Sequence, residues 1–251
     1  MNLHRANSIL AGVLLLASSL SAQAVSSEAQ LLGTWVAVHR SLGGLGSMYT
    51  FLPNGKLEMS VGAIVEGWYR IEGNKLILPP ATTSGKPTVT PFRVEGDTLV
   101  EQETRYVRVG KATPGAAPIV GVWRSESQAT AASIMEQQRK AGAAVDEKTA
   151  QAMADMYNHR FYEYTRDGLI KLRLSMRTTF GSYDRRSQTF TLEGEAKHGG
   201  RFRLENGLLV LTLPDGKGED RFIRANATKE ELKRSGVRYG DKAAEFDPPV
   251  R

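Results

Sequence analysis

The chain has 251 residues, with 33 Lys+Arg against 27 Asp+Glu, a formal net charge of +6 and no cysteine. At 41% apolar and 24% charged residues, this is globular composition, which excludes a disordered or collagen-like chain. Without cysteine there is no thiolate catalysis, disulfide exchange or cysteine-ligated metal, and stability must come from core burial.

Residues 1–24 read as a cleaved secretory signal peptide. Arg5 precedes the apolar run from Ile9 to Ala17, and Ala22-Gln23-Ala24 has the small-x-small form that signal peptidase requires. The run is shorter than the roughly 20 residues a spanning helix needs. A periplasmic or secreted, soluble mature protein is therefore expected, with no membrane span and no lipid anchor. Its charge is +5, from 32 basic residues against 27 acidic ones once Arg5 is removed.

The remainder repeats itself. Leu32-Gly33-Thr34-Trp35 returns as Val120-Gly121-Val122-Trp123, and Gly67-Trp68-Tyr69-Arg70 as Gly181-Ser182-Tyr183-Asp184. Phe92-Arg93-Val94-Glu95 matches Phe202-Arg203-Leu204-Glu205, and Arg105-Tyr106-Val107-Arg108 matches Arg221-Phe222-Ile223-Arg224. Four landmarks in one order define a first unit at 25–109, a Gly/Pro/Ala linker at 110–118 and a second unit at 119–227.

Within each unit the pattern is strands. Lys56–Val61 and Lys171–Met176 alternate with period two, as strands with one buried face do. Pro53-Asn54-Gly55 and Arg166-Asp167-Gly168 are equivalent hairpin turns. About eight short strands per unit suit an antiparallel meander curled into a barrel. The second unit alone carries an insert at 126–157, rich in Ala, Gln, Glu and Met, which predicts two helices divided at Gly142, with Asp146 as an N-cap. Residues 228–251 form a tail of mixed charge in which Thr228–Glu231 has capping-box form.

A Gly-x-Trp on the first strand, an up-and-down meander and an Arg on the last strand resemble the lipocalin, or calycin, superfamily, and in particular the short lipocalin-like domains of bacterial exported proteins. The resemblance covers 33–109 and 121–225. It implies an all-β fold of two tandem antiparallel up-and-down lipocalin-like barrels with a helical insertion in the second. It also implies that the first-strand Trp closes one end of each barrel beneath a last-strand Arg: Trp35 with Arg108 or Arg105, and Trp123 with Arg224 or Arg221. An eight-stranded barrel is just wide enough for its own side chains or one small ligand.

Catalytic chemistry has little to stand on. His39, His159 and His198 lack any partner at ligand spacing, and the acidic turn 215–220 lacks the alternating ligands of a calcium loop. No Gly-x-Ser-x-Gly elbow or Ser-x-x-Lys is present. Glu193 and Glu195 lie on one strand face, where general acid–base pairs need opposed groups in a cleft. The expectation is a chain that is not an enzyme and has no cofactor and no metal. Residues 160–203 hold ten Lys/Arg against five acids, a surface to attract an anionic envelope component. Nucleic acid is not expected, because no aromatic residues interleave with a basic face.

The insert offers the remaining candidate site. Ile134, Met135, Met153, Met156 and Tyr157 make a soft apolar face, expected to cover the mouth of the second barrel near Phe161, Tyr162 and Leu174 and to border a pocket. The function expected is non-catalytic binding of a small apolar or amphipathic ligand. The rival is an envelope structural or interaction protein, inhibitor-like in one version, with filled barrels and a protein partner.

Overall fold

The structure is a computed structural model and describes residues 28–80, 86–158, 160–194, 199–214 and 218–249, the side chains of 175–177 apart. The segment expected to be a signal peptide, His159, His198, Glu195 and residues 215–217 of the acidic turn lie outside the described residues.

A short helix α1 (Glu28–Leu31) leads into β1 (Gly33–Ala37), β2 (His39–Arg40), β3 (Leu45–Phe51) and β4 (Lys56–Trp68). Asn54 and Gly55 take positive φ values of 63° and 74° between β3 and β4, as the Asn-Gly pair predicts. Then come β5 (Arg70–Glu72), β6 (Lys75–Leu78), β7 (Thr88–Glu95), β8 (Thr98–Glu101) and β9 (Thr104–Val109). Beyond the linker lie β10 (Gly121–Ser125), two helices α2 (Ala131–Lys140) and α3 (Glu147–Asn158), β11 (Arg160–Tyr164) and β12 (Leu169–Asp184). The chain continues through β13 (Thr189–Leu192), β14 (Gly199–Glu205), β15 (Leu208–Thr212) and β16 (Glu219–Arg224). It ends in α4 (Lys229–Ser235), β17 (Arg238–Tyr239) and β18 (Lys242–Ala243).

All but three short strands join one antiparallel sheet in the order β13-β14-β15-β16-β1-β3-β4-β12-β11-β10-β9-β8-β7-β6-β5. A further pairing of β12 with β13 closes the first eight members into an antiparallel barrel. Closure is tight there. A Cβ on Gly181 or Gly200 would collide with the carbonyl oxygen of Thr191 or Thr212, so glycine lets these backbones approach. The barrel interior is filled by Trp35, Tyr49, Phe51, Leu57, Tyr183, Phe190, Phe202, Leu209, Leu211 and Phe222. Edge-to-face ring pairs such as Phe51–Tyr183 (5.0 Å) and Tyr49–Phe222 (5.1 Å) hold this core.

The barrel does not follow the repeat boundaries read from the sequence. It takes β1, β3 and β4 from the first unit and β12–β16 from the second. β4 and β12, 13 and 16 residues long, pair antiparallel from Trp68↔Leu169 to Lys56↔Ser182, with one bulge between Ser175 and Arg177. Each strand therefore runs out of the barrel wall into the other arm of the sheet. That arm, β12-β11-β10-β9-β8-β7-β6-β5, packs Leu76, Leu99, Ile119, Trp123 and Tyr164 with Phe92, Tyr106, Tyr162 and Ile170. Its outer strand β5 continues β4 past Tyr69, whose N–H donates to Gly168 O at 2.8 Å.

The expected tryptophan–arginine contacts form, with the partners exchanged between units. Arg224 lies 4.1 Å over Trp35 and Arg108 lies 4.1 Å over Trp123. The cause is the pairing: β1 borders β16, and β10 borders β9. Arg105 and Arg221 take no part. Both are exposed, and Arg105 pairs with Glu126 at 2.6 Å.

The C-terminal stretch is a second layer on the barrel wall. Val36, Val38, Met48 and Ile223 alternate with interior residues and so face outward. Leu232, Val237 and Phe246 cover them. β17 runs parallel to β2, and beneath it Arg40 makes a buried ion pair with Glu66 and donates to Tyr239 Oη at 3.0 Å, while that hydroxyl donates to Glu66 Oε2 at 2.9 Å. The β12 face carrying Lys171 and Arg173, expected as open basic surface, is covered here. Lys171 is 2% exposed, donates to Ala227 O at 2.8 Å, and burial draws its pKa down.

Candidate functional site

The two helices fall where the insert was read. Thr130 and Ser133 form a reciprocal capping box on α2, and Asp146 Oδ1 accepts from Thr149 N–H at 2.7 Å ahead of α3. The apolar face between them closes on itself: Ile134 packs with Ala150, Ala154, Met153 and Tyr157. Met135 departs from expectation, standing 40% exposed, because it follows Ile134 and points off the shared face. Met156 is half-buried.

The chain leaves the sheet at Ser125, builds the helices and re-enters at Arg160, so the helices sit at the end of the second arm opposite Trp123. α3 packs against β12. Tyr157, at the end of α3, lies under the Arg160 guanidinium at 4.5 Å. Arg160 Nη1 donates to Tyr162 Oη at 3.2 Å, and Tyr162 meets Tyr106 edge-on at 5.4 Å. Deeper in the arm, Tyr164 Oη donates to Glu101 Oε1 at 2.5 Å, and Tyr69 crosses Tyr164 at 5.2 Å. An unbroken row of rings and charges thus connects the helices to the arm's core.

Burial sets the electrostatics of this row. It raises the Glu101 carboxyl above its usual value, with the Tyr164 hydrogen bond opposing. It raises Tyr164 and Tyr106 as well, the Glu101 charge adding to both, and it pushes Tyr69 up to about 12. These phenols stay protonated at neutral pH and serve as donors. Arg160 Nε is buried with no hydrogen-bond partner among the described residues.

Of the residues read from the sequence, Tyr157, Tyr162 and Leu174 meet here, Leu174 through its register with Arg160. Phe161 does not. It alternates with Tyr162 and stands opposite Arg173, so its ring is on the far face of the strand. Sequence reading missed Glu101, Tyr106, Arg160 and Tyr164. A period-two signal existed for three of them: Glu101 follows inward Leu99, and Arg160 and Tyr164 share one face with Tyr162.

Comparison with family models, curated proteins and solved structures finds no match. The site must be judged on its own geometry.

Two cavities lie elsewhere. One of about 350 Å³ sits where β1 leaves the wall between β3 and β16, lined by Ala37, His39, Ser47, Asp220, Arg221 and Phe222. Burial and the Asp220 charge push nearby Tyr49 up to about 12. The other, about 940 Å³, is an open groove beneath the C-terminal layer, with Leu42, Val65, Trp68, Pro79 and Phe246 in its lining. Neither is lined by the residues expected to contact ligand. The basic surface expected across 160–203 is partly neutralised. Arg203 bridges Glu205 and Glu219 at 2.9 and 2.6 Å, and Arg173 approaches Glu163 at 3.5 Å.

Proposed function

We propose that this chain is an exported, non-catalytic binding protein for a small amphipathic molecule. In this reading the second arm is a second lipocalin-like barrel, inserted helices cover its open end, and the ligand enters between them and the row Arg160–Tyr162–Tyr106. One observation carries the proposal. A barrel core that needed only packing would be apolar, because burying polar groups costs free energy unless they are hydrogen-bonded. This arm instead holds a half-buried Glu101, half-buried Tyr106 and Tyr162, a buried Tyr164 and a buried Arg160 Nε with no hydrogen-bond partner among the described residues. An acceptor on the ligand, a carboxylate or hydroxyl, would complete Arg160 while the rings take an apolar body.

The rival is an envelope interaction protein. The aromatic filling of the closed barrel favours it, since ten buried side chains pack that interior. So does the apolar groove under the C-terminal layer, which could seat an anionic envelope component or a protein.

The deciding experiment is titration with an anionic naphthalene fluorophore. Replacing 128–156 by a short Gly-Ser bridge, or Arg160→Met alone, is expected to weaken binding at least tenfold, about 1.4 kcal/mol. Unchanged affinity in both variants removes the ligand reading and puts the interaction reading first.

A further inference from the structure

We infer that the two halves of this chain, 28–109 and 119–249, are each other's binding partner, and that the linker between them is a tether the assembly does not need. The pairing supports this at every level. The halves meet along four strand borders, β1–β16, β4–β12, β9–β10 and the short β2–β17. Of the seven close ring pairs among the described residues, six join one half to the other: Tyr49 to Phe190 and Phe222, Phe51 to Tyr183 and Phe202, Tyr69 to Tyr164, and Tyr106 to Tyr162. Trp35 and Trp123 are each covered by an arginine of the opposite half. Tyr239 of the second half completes the buried Arg40–Glu66 pair of the first.

Neither half holds a closed wall by itself. The first supplies only β1, β3 and β4 to the barrel, and these leave apolar faces and unpaired strand edges that the second half's β12–β16 satisfy. The interface is therefore a core cut in two, the kind of surface found in obligate complexes. The linker 110–118 is exposed along nearly its whole length, and the described side-chain hydrogen bonds to it are made by Arg108 and Arg166 to the carbonyl oxygens of Pro118 and Pro114. A strand-exchanged pair of repeats of this kind has the same surfaces as a domain-swapped dimer, here held in one chain. The partner that fits either half is the complementary half of this chain or of a second copy.

The test cuts the intact protein. A protease site is inserted between Gly115 and Ala116, and Ser60→Cys with Thr178→Cys is added in the cysteine-free background. Those two residues are register partners on β4 and β12, with hydroxyl oxygens 3.1 Å apart. The cut chain is expected to elute at the size of the uncut one. Its thermal midpoint should fall on dilution while the uncut protein's does not. Mild oxidation should rejoin the two pieces on a non-reducing gel. Pieces that separate or precipitate after cutting, a midpoint independent of concentration, or a failure of the cysteines to join them would each overturn the inference.

Discussion

At one end of the closed barrel Trp35 donates its indole N–H to Leu31 O at 2.8 Å, and Arg224 lies across the ring and reaches Leu32 O. At the corresponding end of the second arm Trp123 donates to Ile119 O at 2.7 Å, and Arg108 crosses it to reach Val120 O at 2.9 Å. The two ends match nearly atom for atom. The interiors do not: phenylalanine, leucine, Tyr49 and Tyr183 fill the barrel, whereas the charged groups Glu101 and Arg160 join the tyrosines of the arm beside two helices. A frame preserved twice with one filling replaced by polar groups separates what the architecture requires from what is spent on something else.

The largest effect should come from breaking the filled side. Phe51→Ala removes a ring that touches Tyr183 and Phe202 and is expected to cost about 3–5 kcal/mol, read as a lower midpoint in denaturant. Next, Tyr164→Phe strips Glu101 of its hydroxyl donor and should cost about 1–3 kcal/mol, whereas Tyr183→Phe in the barrel, losing only the bond to Leu52 O, should cost about 1 kcal/mol.

The same pair differs in pH dependence. Burial raises the folded-state pKa of Glu101, so its contribution to stability is fully present below the unfolded carboxyl's pKa. It is lost as pH rises through the folded value. Without Tyr164 the opposing hydrogen bond is gone and that loss extends to higher pH; Glu101→Gln should abolish it. Denaturant midpoints measured across the acidic range check both.

A smaller and equal effect is expected from Arg108→Gln and Arg224→Gln, roughly 0.5–2 kcal/mol each for the lost cation–π contact. A clear inequality between them would show that the two ends are alike in geometry only. Smallest is Thr130→Ala, about 1 kcal/mol from the α2 cap. It should loosen the helices while leaving the barrel's near-ultraviolet signal intact.

Much of this frame was legible because it is local. The Asn-Gly and Asp-Gly turns, the period-two strands, the helices on either side of Gly142 and the tryptophan–arginine ends all rest on residues close in sequence or on the repeat itself. The exchange of partners was not legible, and the likeness of the two segments' landmark residues is the reason. Equivalent strands of the two units present the same apolar face and the same backbone groups, so Arg108 and Arg224 fit either tryptophan by pattern alone. One signal was present: the apolar run Ala63-Ile64-Val65 follows the alternating stretch 56–61 with a single glycine and no full turn signal between them, so β4 continues past the height of a single short barrel. The site was half legible for a related cause. Tyr157 and Tyr162 lie beside the insert, but Glu101 comes from the other unit and meets Tyr164 only through the exchange.

The border of β1 with β16 has a consequence in time. Arg224 reaches Leu32 across 192 residues of chain, and contacts that distant make folding slow. A chain made from its N-terminus can pair β1, β3 and β4 with one another, but the outer edge of β4 stays open until β12 is added and that of β1 until β16. The barrel is then completed only after synthesis, and during that interval the nascent first half is the part most exposed to mispairing with its neighbours.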